Sequence, residues 1–160
     1  MKVIAVLGHK NSGKTRLASM LINQLSRKGY RVAGAKHVHH EGFSLDSKGK
    51  DSWVIQEAGA NPVLIVSPNE VAVIWRNRSV KNLDELRRLA GDVDILVLEG
   101  FRRILDPGVI KIGLVKSEEE AHEFSEEIKA TFHDLNLRGV YRLPREFPML
   151  FDEICRRMGV

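Results

Sequence analysis

The eight residues GHKNSGKT at positions 8–15 constrain this chain more than any other stretch of its sequence. They match the phosphate-binding pattern G-x-x-x-x-G-K-[ST]. An apolar, β-branched run at positions 2–7 precedes them, and residues 16–28 follow with a leucine at every fourth position. A strand, a glycine loop and a helix in this order predict a P-loop.

Each residue type in this loop suits contact with phosphate. Glycines at positions 8 and 13 let the backbone curl so that successive N–H groups face phosphate oxygens. The helix that begins near Lys14 adds the positive end of its dipole, and the Lys14 ammonium is placed to reach the β- and γ-phosphates. The Thr15 hydroxyl is placed to bind Mg²⁺. The predicted phosphate-binding residues of the loop are Gly8, Asn11, Ser12, Gly13, Lys14 and Thr15.

Length and composition restrict the function further. A chain of 160 residues is expected to form one nucleotide-binding domain that spans residues 1–160. Its single cysteine, Cys155, excludes an internal disulfide and predicts a reducing, cytoplasmic location. We find no apolar run as long as a membrane span, no signal peptide and no nucleic-acid-binding motif, so we expect neither a membrane nor a nucleic acid partner.

Charge is distributed unevenly along the chain. Residues 117–136 carry seven acids and one base, although the formal net charge of the chain is +4. The rest of the chain, which includes the P-loop, is therefore strongly basic. This distribution favours an anionic ligand.

Apolar runs alternate with helical patterns after the P-loop. Further strands are predicted at 31–36, 93–98, 109–115 and 140–143, and helices at 53–58, 82–90, 117–133 and 148–158. Asp51 or Ser52 is expected to cap the helix at 53, and Ser117 with Glu120 to form a capping box. This alternation predicts an α/β fold with a mostly parallel sheet and helices on both faces.

Two further apolar runs, at 62–66 and 71–75, flank a turn that contains proline. They predict an antiparallel hairpin, inserted into the fold or lying at an edge of the sheet. The second run is apolar on both faces, so we expect both faces to be covered, either by helices of this chain or by a second copy.

Two acids are candidates for metal binding and catalysis. Glu99 ends an apolar strand, and parallel α/β sheets hold their ligands at the carboxyl ends of strands. We expect Glu99 to meet Mg²⁺ directly or through water, with a surface loop acid as the alternative. Asp46 lies in the loop after the second strand, a position that suits a metal-linked or water-positioning acid and an ordinary turn residue equally.

Three of the six histidines, His37, His39 and His40, follow the second strand. No cysteine and no evident fourth ligand accompanies them, which argues against a zinc site. Their positions fit loop capping or contact with an anionic ligand equally well.

Arg102 and Arg103 follow Glu99 closely, and they are either phosphate-binding residues or exposed side chains. No Asn-Lys-x-Asp tetrad, which reads guanine in many GTP-binding proteins, follows a later strand. The spacing of residues therefore leaves the base of the nucleotide undecided.

Several short blocks together resemble one family. KHVHH at 36–40, Asp46, GKDS at 49–52, AGA at 58–60 and LEGF at 98–101, all behind the P-loop, are similar to the molybdopterin-guanine dinucleotide biosynthesis adapter proteins, the MobB family. The resemblance covers roughly residues 1–115, and the last third matches only in general layout. Arg102 stands where the family usually has lysine, and Lys116 where arginine is expected, so bidentate contacts differ there.

The resemblance implies a function and a set of partners. It implies GTP with Mg²⁺, at most slow GTP hydrolysis, a homodimer, and assistance to the guanylyltransferase that joins GMP to molybdopterin. Besides the P-loop and Glu99, it implies a histidine-rich loop that senses nucleotide or faces the pterin and the partner enzyme. This loop matches His37, His39, His40, Asp46, Lys50 and Asp51. The alternative is a stand-alone small-molecule kinase or an ATP-dependent ligase of the dethiobiotin synthetase type.

Overall fold

The structure, a computed structural model, describes all residues from 1 to 160. It divides into two compact units, one formed by residues 1–37 and 81–160 and the other by residues 38–80. A single nucleotide-binding domain over residues 1–160 stays a prediction.

Eight strands and five helices follow one another along the chain. The strands are β1 (Lys2–Gly8), β2 (Val32–Lys36), β3 (Val63–Val66), β4 (Val71–Ile74), β5 (Ile95–Glu99), β6 (Ile110–Leu114), β7 (Ile128–Thr131) and β8 (Val140–Arg142). The helices are α1 (Lys14–Arg27), α2 (Asp51–Glu57), α3 (Leu83–Ala90), α4 (Glu118–Glu123) and α5 (Phe147–Met158), with a short 3₁₀ turn at Arg102–Ile104. None of the helices combines the length and the apolar composition that crossing a bilayer requires.

Six strands of the first unit form a wholly parallel sheet in the order β2-β5-β1-β6-β7-β8. Helices α1 and α5 pack on one face, where Leu21 and Ile154 share a buried cluster with Ile112. On the opposite face, Phe124 at the end of α4 packs over Gly113 of β6. The predicted α/β fold is confirmed, and helical segments lie on both faces of the sheet.

The segment after Ser117 is not the single helix that was predicted to reach residue 133. Ser117 does cap α4, because its hydroxyl accepts a hydrogen bond from the Glu120 N–H at 3.3 Å. The helix then ends, and β7 pairs with β6. The prediction was wrong because Ile128 and Ala130 gain burial and sheet hydrogen bonds in β7, which outweigh local helix propensity.

Helix α2 begins two residues earlier than predicted. Lys50 precedes it and Asp51 is its first residue, with no side chain capping the helix. The predicted cap by Asp51 or Ser52 is therefore wrong. Asp51 instead places its negative charge in the first turn, where it meets the positive end of the helix dipole.

Strands β3 and β4 form the predicted antiparallel hairpin, and one of its faces is largely exposed. Leu64 lies opposite Val73, and Val66 lies opposite Val71. Directly opposed side chains share a face, and these four are 61%, 41%, 70% and 65% exposed, respectively. Val63, on the other face, is only 5% exposed. Helices of this chain leave the face of Leu64 and Val66 exposed, and cover by a second copy stays a prediction.

Substitution of Gly113 tests the packing on the second face of the sheet. A Cβ atom at this position would lie 2.5 Å from Phe124, which is buried. We expect Gly113→Ala to lower the free energy of unfolding by about 1–3 kcal/mol, as overpacking does. Urea denaturation measures this change. Gly108→Ala is the matched control, because nothing lies within 4 Å of its Cβ position, and equal stability of both variants would contradict the packing.

Candidate functional site

The carboxyl ends of three neighbouring strands bring the predicted site together. In the sheet, Glu99 at the end of β5 pairs in register with Lys36 at the end of β2 and with Val6 of β1. The P-loop begins at Gly8, two residues beyond Val6. Parallel strands end at the same edge of a sheet, so the acid and the P-loop meet in the first unit.

The backbone of the P-loop requires residues that tolerate positive φ. Gly8, Asn11 and Gly13 have φ values of 145°, 63° and 91°. A Cβ atom at position 13 would lie 2.5 Å from the ring of Phe132, and one at position 8 would lie 2.6 Å from the Ser12 hydroxyl. Only glycine fits these two positions, and asparagine is among the side chains that adopt the left-handed region most readily.

The start of α1 leaves hydrogen-bond donors available to an anion. Gly13 supplies no side-chain cap, and the first turn contains no acid. The Ser12 hydroxyl is buried and has no hydrogen-bond partner. Free N–H groups at a helix start and an unpartnered hydroxyl are what a bound phosphate satisfies. The loop therefore fits a phosphate group.

Thr15, Lys36 and Glu99 are in mutual contact at the edge of the loop. Thr15 Oγ1 donates to both carboxylate oxygens of Glu99 at 2.9 Å. Lys36 Nζ lies 3.0 Å from Glu99 Oε1 and 3.2 Å from Thr15 Oγ1. The Glu99 side chain is only 12% exposed, so little water competes for its oxygens.

The Thr15 hydroxyl and the Glu99 carboxylate are oxygen ligands of the kind that Mg²⁺ prefers. Magnesium in nucleotide sites takes one or two protein oxygens and completes its shell with water and phosphate oxygens. Thr15 and Glu99 offer a hydroxyl and a carboxylate in contact with each other, and a cation, the Lys36 ammonium, lies against them. Mg²⁺ binding by Thr15 and Glu99 stays a prediction, and the chain contains no group of three or more His, Cys, Asp or Glu side chains placed to hold a metal ion.

Two further lysines extend along the P-loop. Lys14 Nζ donates to the His9 carbonyl oxygen at 2.7 Å, and Lys116 Nζ donates to the Lys10 carbonyl oxygen at 3.1 Å. Burial lowers the pKa of the Lys14 ammonium from its ordinary value, the neighbouring lysines lower it further, and Glu99 opposes them. This concentration of positive charge suits a polyanion.

The loop and the strand ends enclose a cavity of about 350 Å³. Its lining residues are Lys10, Asn11, Gly13, Lys14, Thr15, Arg16, Lys36 and Glu99. Its size and its convergent charged groups are typical of a ligand site. A separate cavity of about 420 Å³ lies beside β7, β8 and α5 and contains none of the predicted site residues.

Arg102 lies in the 3₁₀ turn after β5 and contacts another part of the first unit. Its guanidinium forms an ion pair with Glu123 and lies 5.0 Å from the centre of the Phe124 ring. His9 Nε2 lies 2.8 Å from the same Glu123 carboxylate. Glu123 therefore joins the turn after β5 to the P-loop.

His37 remains in the first unit, close to the strand-end acid. Its N–H donates to the Glu99 carbonyl oxygen at 3.0 Å. Its ring meets Phe101 edge to face, with 5.2 Å between the ring centres. The backbone of His37 thus continues the pairing between β2 and β5.

The other residues of the histidine-rich loop belong to the second unit. They are His39, His40, Asp46, Lys50 and Asp51. Asp46 Oδ1 accepts hydrogen bonds from the Ser47 N–H at 2.8 Å and from the Ser52 hydroxyl at 3.0 Å. Asp46 thereby folds the loop that leads into α2, and its role in metal binding or catalysis stays a prediction.

Sequence reasoning left Lys36 and Glu123 out of the site. A signal for Lys36 was present, because it ends β2 as Glu99 ends β5, and neighbouring parallel strands bring their ends together. Glu123 is one of the seven acids at 117–136, and its local sequence does not distinguish it from the others. Its contact with His9 spans more than a hundred residues, and no local pattern indicates it.

Comparison with known proteins gives a consistent result. The family model of Molybdopterin guanine dinucleotide synthesis protein B, MobB, matches residues 3–134, which is further than the resemblance had reached. A molybdopterin-guanine dinucleotide biosynthesis adapter protein from Haemophilus influenzae is 31% identical over 110 residues, which are 68% of this chain and 61% of that protein. The protein of that name from Escherichia coli is 31% identical over 105 residues, or 62% of this chain and 59% of that protein. The chain matches about three fifths of the length of these curated relatives.

A solved structure confirms the fold. The crystal structure of Bacillus subtilis MobB matches with a TM-score of 0.72 at 22% identity, over 98% of each chain. The arrangement of strands and helices described above is therefore that of a solved MobB protein.

The contacts of Glu123 predict its titration. Hydrogen bonds from Arg102 and then from His9 lower the pKa of the Glu123 carboxyl. We expect carboxyl-detected NMR to place this pKa below its usual range. The pKa should rise more in Arg102→Met than in His9→Ala, because the Arg102 contact is the stronger one.

Because folding lowers the pKa of Glu123, the stability of the fold depends on pH. The Glu123 contacts stabilise the fold above the pKa of the unfolded chain, and this stabilisation is lost as pH falls through the folded-state pKa. A Glu123 pKa that stays the same in both variants would contradict the described contacts.

Proposed function

The chain belongs to the Molybdopterin guanine dinucleotide synthesis protein B family, and we propose that it is a GTP-binding adapter in molybdenum cofactor biosynthesis. In this role it assists the guanylyltransferase that converts molybdopterin to molybdopterin guanine dinucleotide, and acts in the cytoplasm. The contact between Thr15 and Glu99 beside an open P-loop is the observation that carries the nucleotide part of the proposal. The names of the curated relatives, which are called adapter proteins, support the rest.

The phosphates of the nucleotide would bind to donors that already face the cavity. The N–H groups at the start of α1, the Ser12 hydroxyl and the Lys14 ammonium supply hydrogen bonds and charge. Lys14 would exchange its bond to the His9 carbonyl oxygen for phosphate oxygens. Mg²⁺, held by Thr15 and Glu99, neutralises phosphate charge when it is bound.

Slow hydrolysis is consistent with the contacts of the candidate acids. A hydrolase needs a group that orients water against the terminal phosphate. Both Glu99 oxygens are already bonded to Thr15 and Lys36, and Asp46 is bonded to Ser47 and Ser52. Glu99 is the only acid among the residues that line the cavity, and this proposal assigns it to Mg²⁺. An adapter that binds GTP and acts through a partner needs no such group.

The first test is equilibrium binding of GTP and ATP in the presence of Mg²⁺, measured by isothermal titration calorimetry. We expect a clear preference for GTP. Lys14→Ala should weaken GTP binding by roughly 1.5–3 kcal/mol, the scale of a lost charged hydrogen bond. Lys81→Ala is the control, since Lys81 does not line the cavity.

The adapter role is tested by the rate of GMP transfer to molybdopterin by the guanylyltransferase. The rate should rise when the chain is added and should rise less with Lys14→Ala. A preference for ATP, or unchanged triphosphate affinity in Lys14→Ala, would contradict the proposal. An ATP preference would favour a kinase or a ligase of the dethiobiotin synthetase type.

We also propose that the chain forms a homodimer through the uncovered hairpin face, formed by Leu64, Val66, Val71 and Val73. These four apolar side chains are contiguous on β3 and β4, and water surrounds them in a single chain. Contiguous exposed apolar side chains of this kind mark association surfaces. A second copy would supply the cover that the sequence pattern requires.

Light scattering at micromolar concentration tests the homodimer. We expect twice the chain mass for the unaltered protein and the monomer mass for Val71→Glu, because a carboxylate on the hairpin face would be buried without a partner. Asn69→Glu adds the same charge in the turn and should leave the dimer intact. A monomer mass for the unaltered protein would overturn the proposal.

A further inference from the structure

We propose that Lys36 is an internal counter-ion that occupies the metal position of the free protein, so that its ammonium must leave before a divalent cation binds. This inference rests on the proposed nucleotide and Mg²⁺ site and adds a residue that sets its metal affinity. It follows from three contacts of one ammonium group, from the exposure of the groups involved and from the position of Lys36 in the sheet.

The Lys36 ammonium contacts the same oxygens that would bind Mg²⁺. Lys36 Nζ lies 3.0 Å from Glu99 Oε1, 3.3 Å from Glu99 Oε2 and 3.2 Å from Thr15 Oγ1. An ammonium group and a magnesium ion both seek oxygen atoms and carry positive charge. The two cations cannot share the same carboxylate and hydroxyl at close range without strong repulsion.

Exposure determines which member of the contact moves. The Lys36 side chain is 57% exposed, whereas the Glu99 side chain is 12% exposed. Lysine has a flexible four-carbon stem, so its ammonium can turn into water while the backbone stays in place. Glu99 has no comparable freedom, because β5 is paired on both sides. Lys36 is therefore the displaceable partner.

The pairing of β2 with β5 places Lys36 beside Glu99. Lys36 and Glu99 are register partners on neighbouring parallel strands, and the His37 N–H continues the pairing to the Glu99 carbonyl oxygen. The distance between the two Cα atoms is thus set by backbone hydrogen bonds. Strand pairing therefore keeps the two side chains within reach of each other, so that the ion pair forms whenever no ligand draws the ammonium away.

Lys36 should have two effects of opposite sign on ligand binding. Without nucleotide, its ammonium competes with a divalent cation and weakens metal binding. Without metal, it neutralises Glu99, so that no uncompensated carboxylate faces the incoming phosphates. Removing the ammonium should therefore strengthen metal binding and weaken metal-free nucleotide binding.

The first experiment measures metal binding without nucleotide. Mn²⁺ serves as the probe, and electron paramagnetic resonance of the free ion gives its dissociation constant. We expect Lys36→Met to bind Mn²⁺ roughly fivefold more tightly than the unaltered chain, the scale of one lost ion pair. Lys36→Arg, which keeps the charge, should bind Mn²⁺ like the unaltered chain.

Lys116→Met is the matched control. It removes the same charge beside the P-loop, but Lys116 contacts the Lys10 carbonyl oxygen and Glu120 rather than Glu99. Its Mn²⁺ affinity should change by at most about twofold. Adding Glu99→Gln to Lys36→Met should abolish the gain. Equal Mn²⁺ affinity in Lys36→Met and the unaltered chain would overturn the inference.

The second experiment titrates Mg²⁺ at a fixed concentration of a fluorescent GTP analogue. For Lys36→Met we expect half-saturation at a lower Mg²⁺ concentration and weaker analogue binding in EDTA. Loss of affinity by the same factor with and without Mg²⁺ would mean that Lys36 only contacts phosphate, and it would overturn the inference.

The two experiments separate this inference from the proposed function. If no variant binds nucleotide but Lys36→Met binds Mn²⁺ more tightly, the proposed function fails and the role of Lys36 stands. If GTP binds but Mn²⁺ affinity does not respond to Lys36→Met, the role of Lys36 fails and the proposed function stands.

Discussion

The pairing of β5 with both β1 and β2 is the constraint on which the site depends. It places Glu99 beside Val6, two residues before the P-loop, and beside Lys36. Ile95 to Leu98 of β5 are each at most 1% exposed, so this strand cannot shift without opening the core. The carboxylate is therefore the rigid member of the site. Lys14 and Lys36 have long, flexible side chains, so their ammonium groups are the ones that move when a ligand binds.

The acidic segment at 117–136 supports the P-loop. Phe132, directly after β7, fills the space above Gly13 and lies under the Arg16 guanidinium at 4.5 Å. Phe124 packs on the sheet under the Arg102 guanidinium, and Glu123 binds both Arg102 and His9. The segment thus packs against the P-loop from outside the cavity, since none of its residues lines the cavity. Its negative charge faces arginine and histidine side chains that would otherwise be unpaired beside the loop.

Local sequence patterns were sufficient for the parts of the site that depend on neighbouring residues. The P-loop and the strand that ends at Glu99 are each contained in about ten consecutive residues, and parallel strands end at one edge by general geometry. The missed features depend on contacts between distant segments. Strand β7 is short and forms because β6 offers an edge to pair with, and Lys36 belongs to the site because its register partner is Glu99. Neither fact can be obtained from one segment alone.

The charge balance of the free site favours the arrival of phosphate and metal together. Lys36 pairs with Glu99, and Lys14 and Lys116 lie along the P-loop, so a lone divalent cation approaches a region of positive potential. A polyphosphate is attracted to the same region, and its oxygens then compensate the lysines. Once Lys36 is drawn toward phosphate, the Thr15 and Glu99 oxygens become available to a cation. Such a site binds free metal weakly without a moving segment that closes it, because Lys36, the counter-ion of Glu99, lies at the same edge of the sheet.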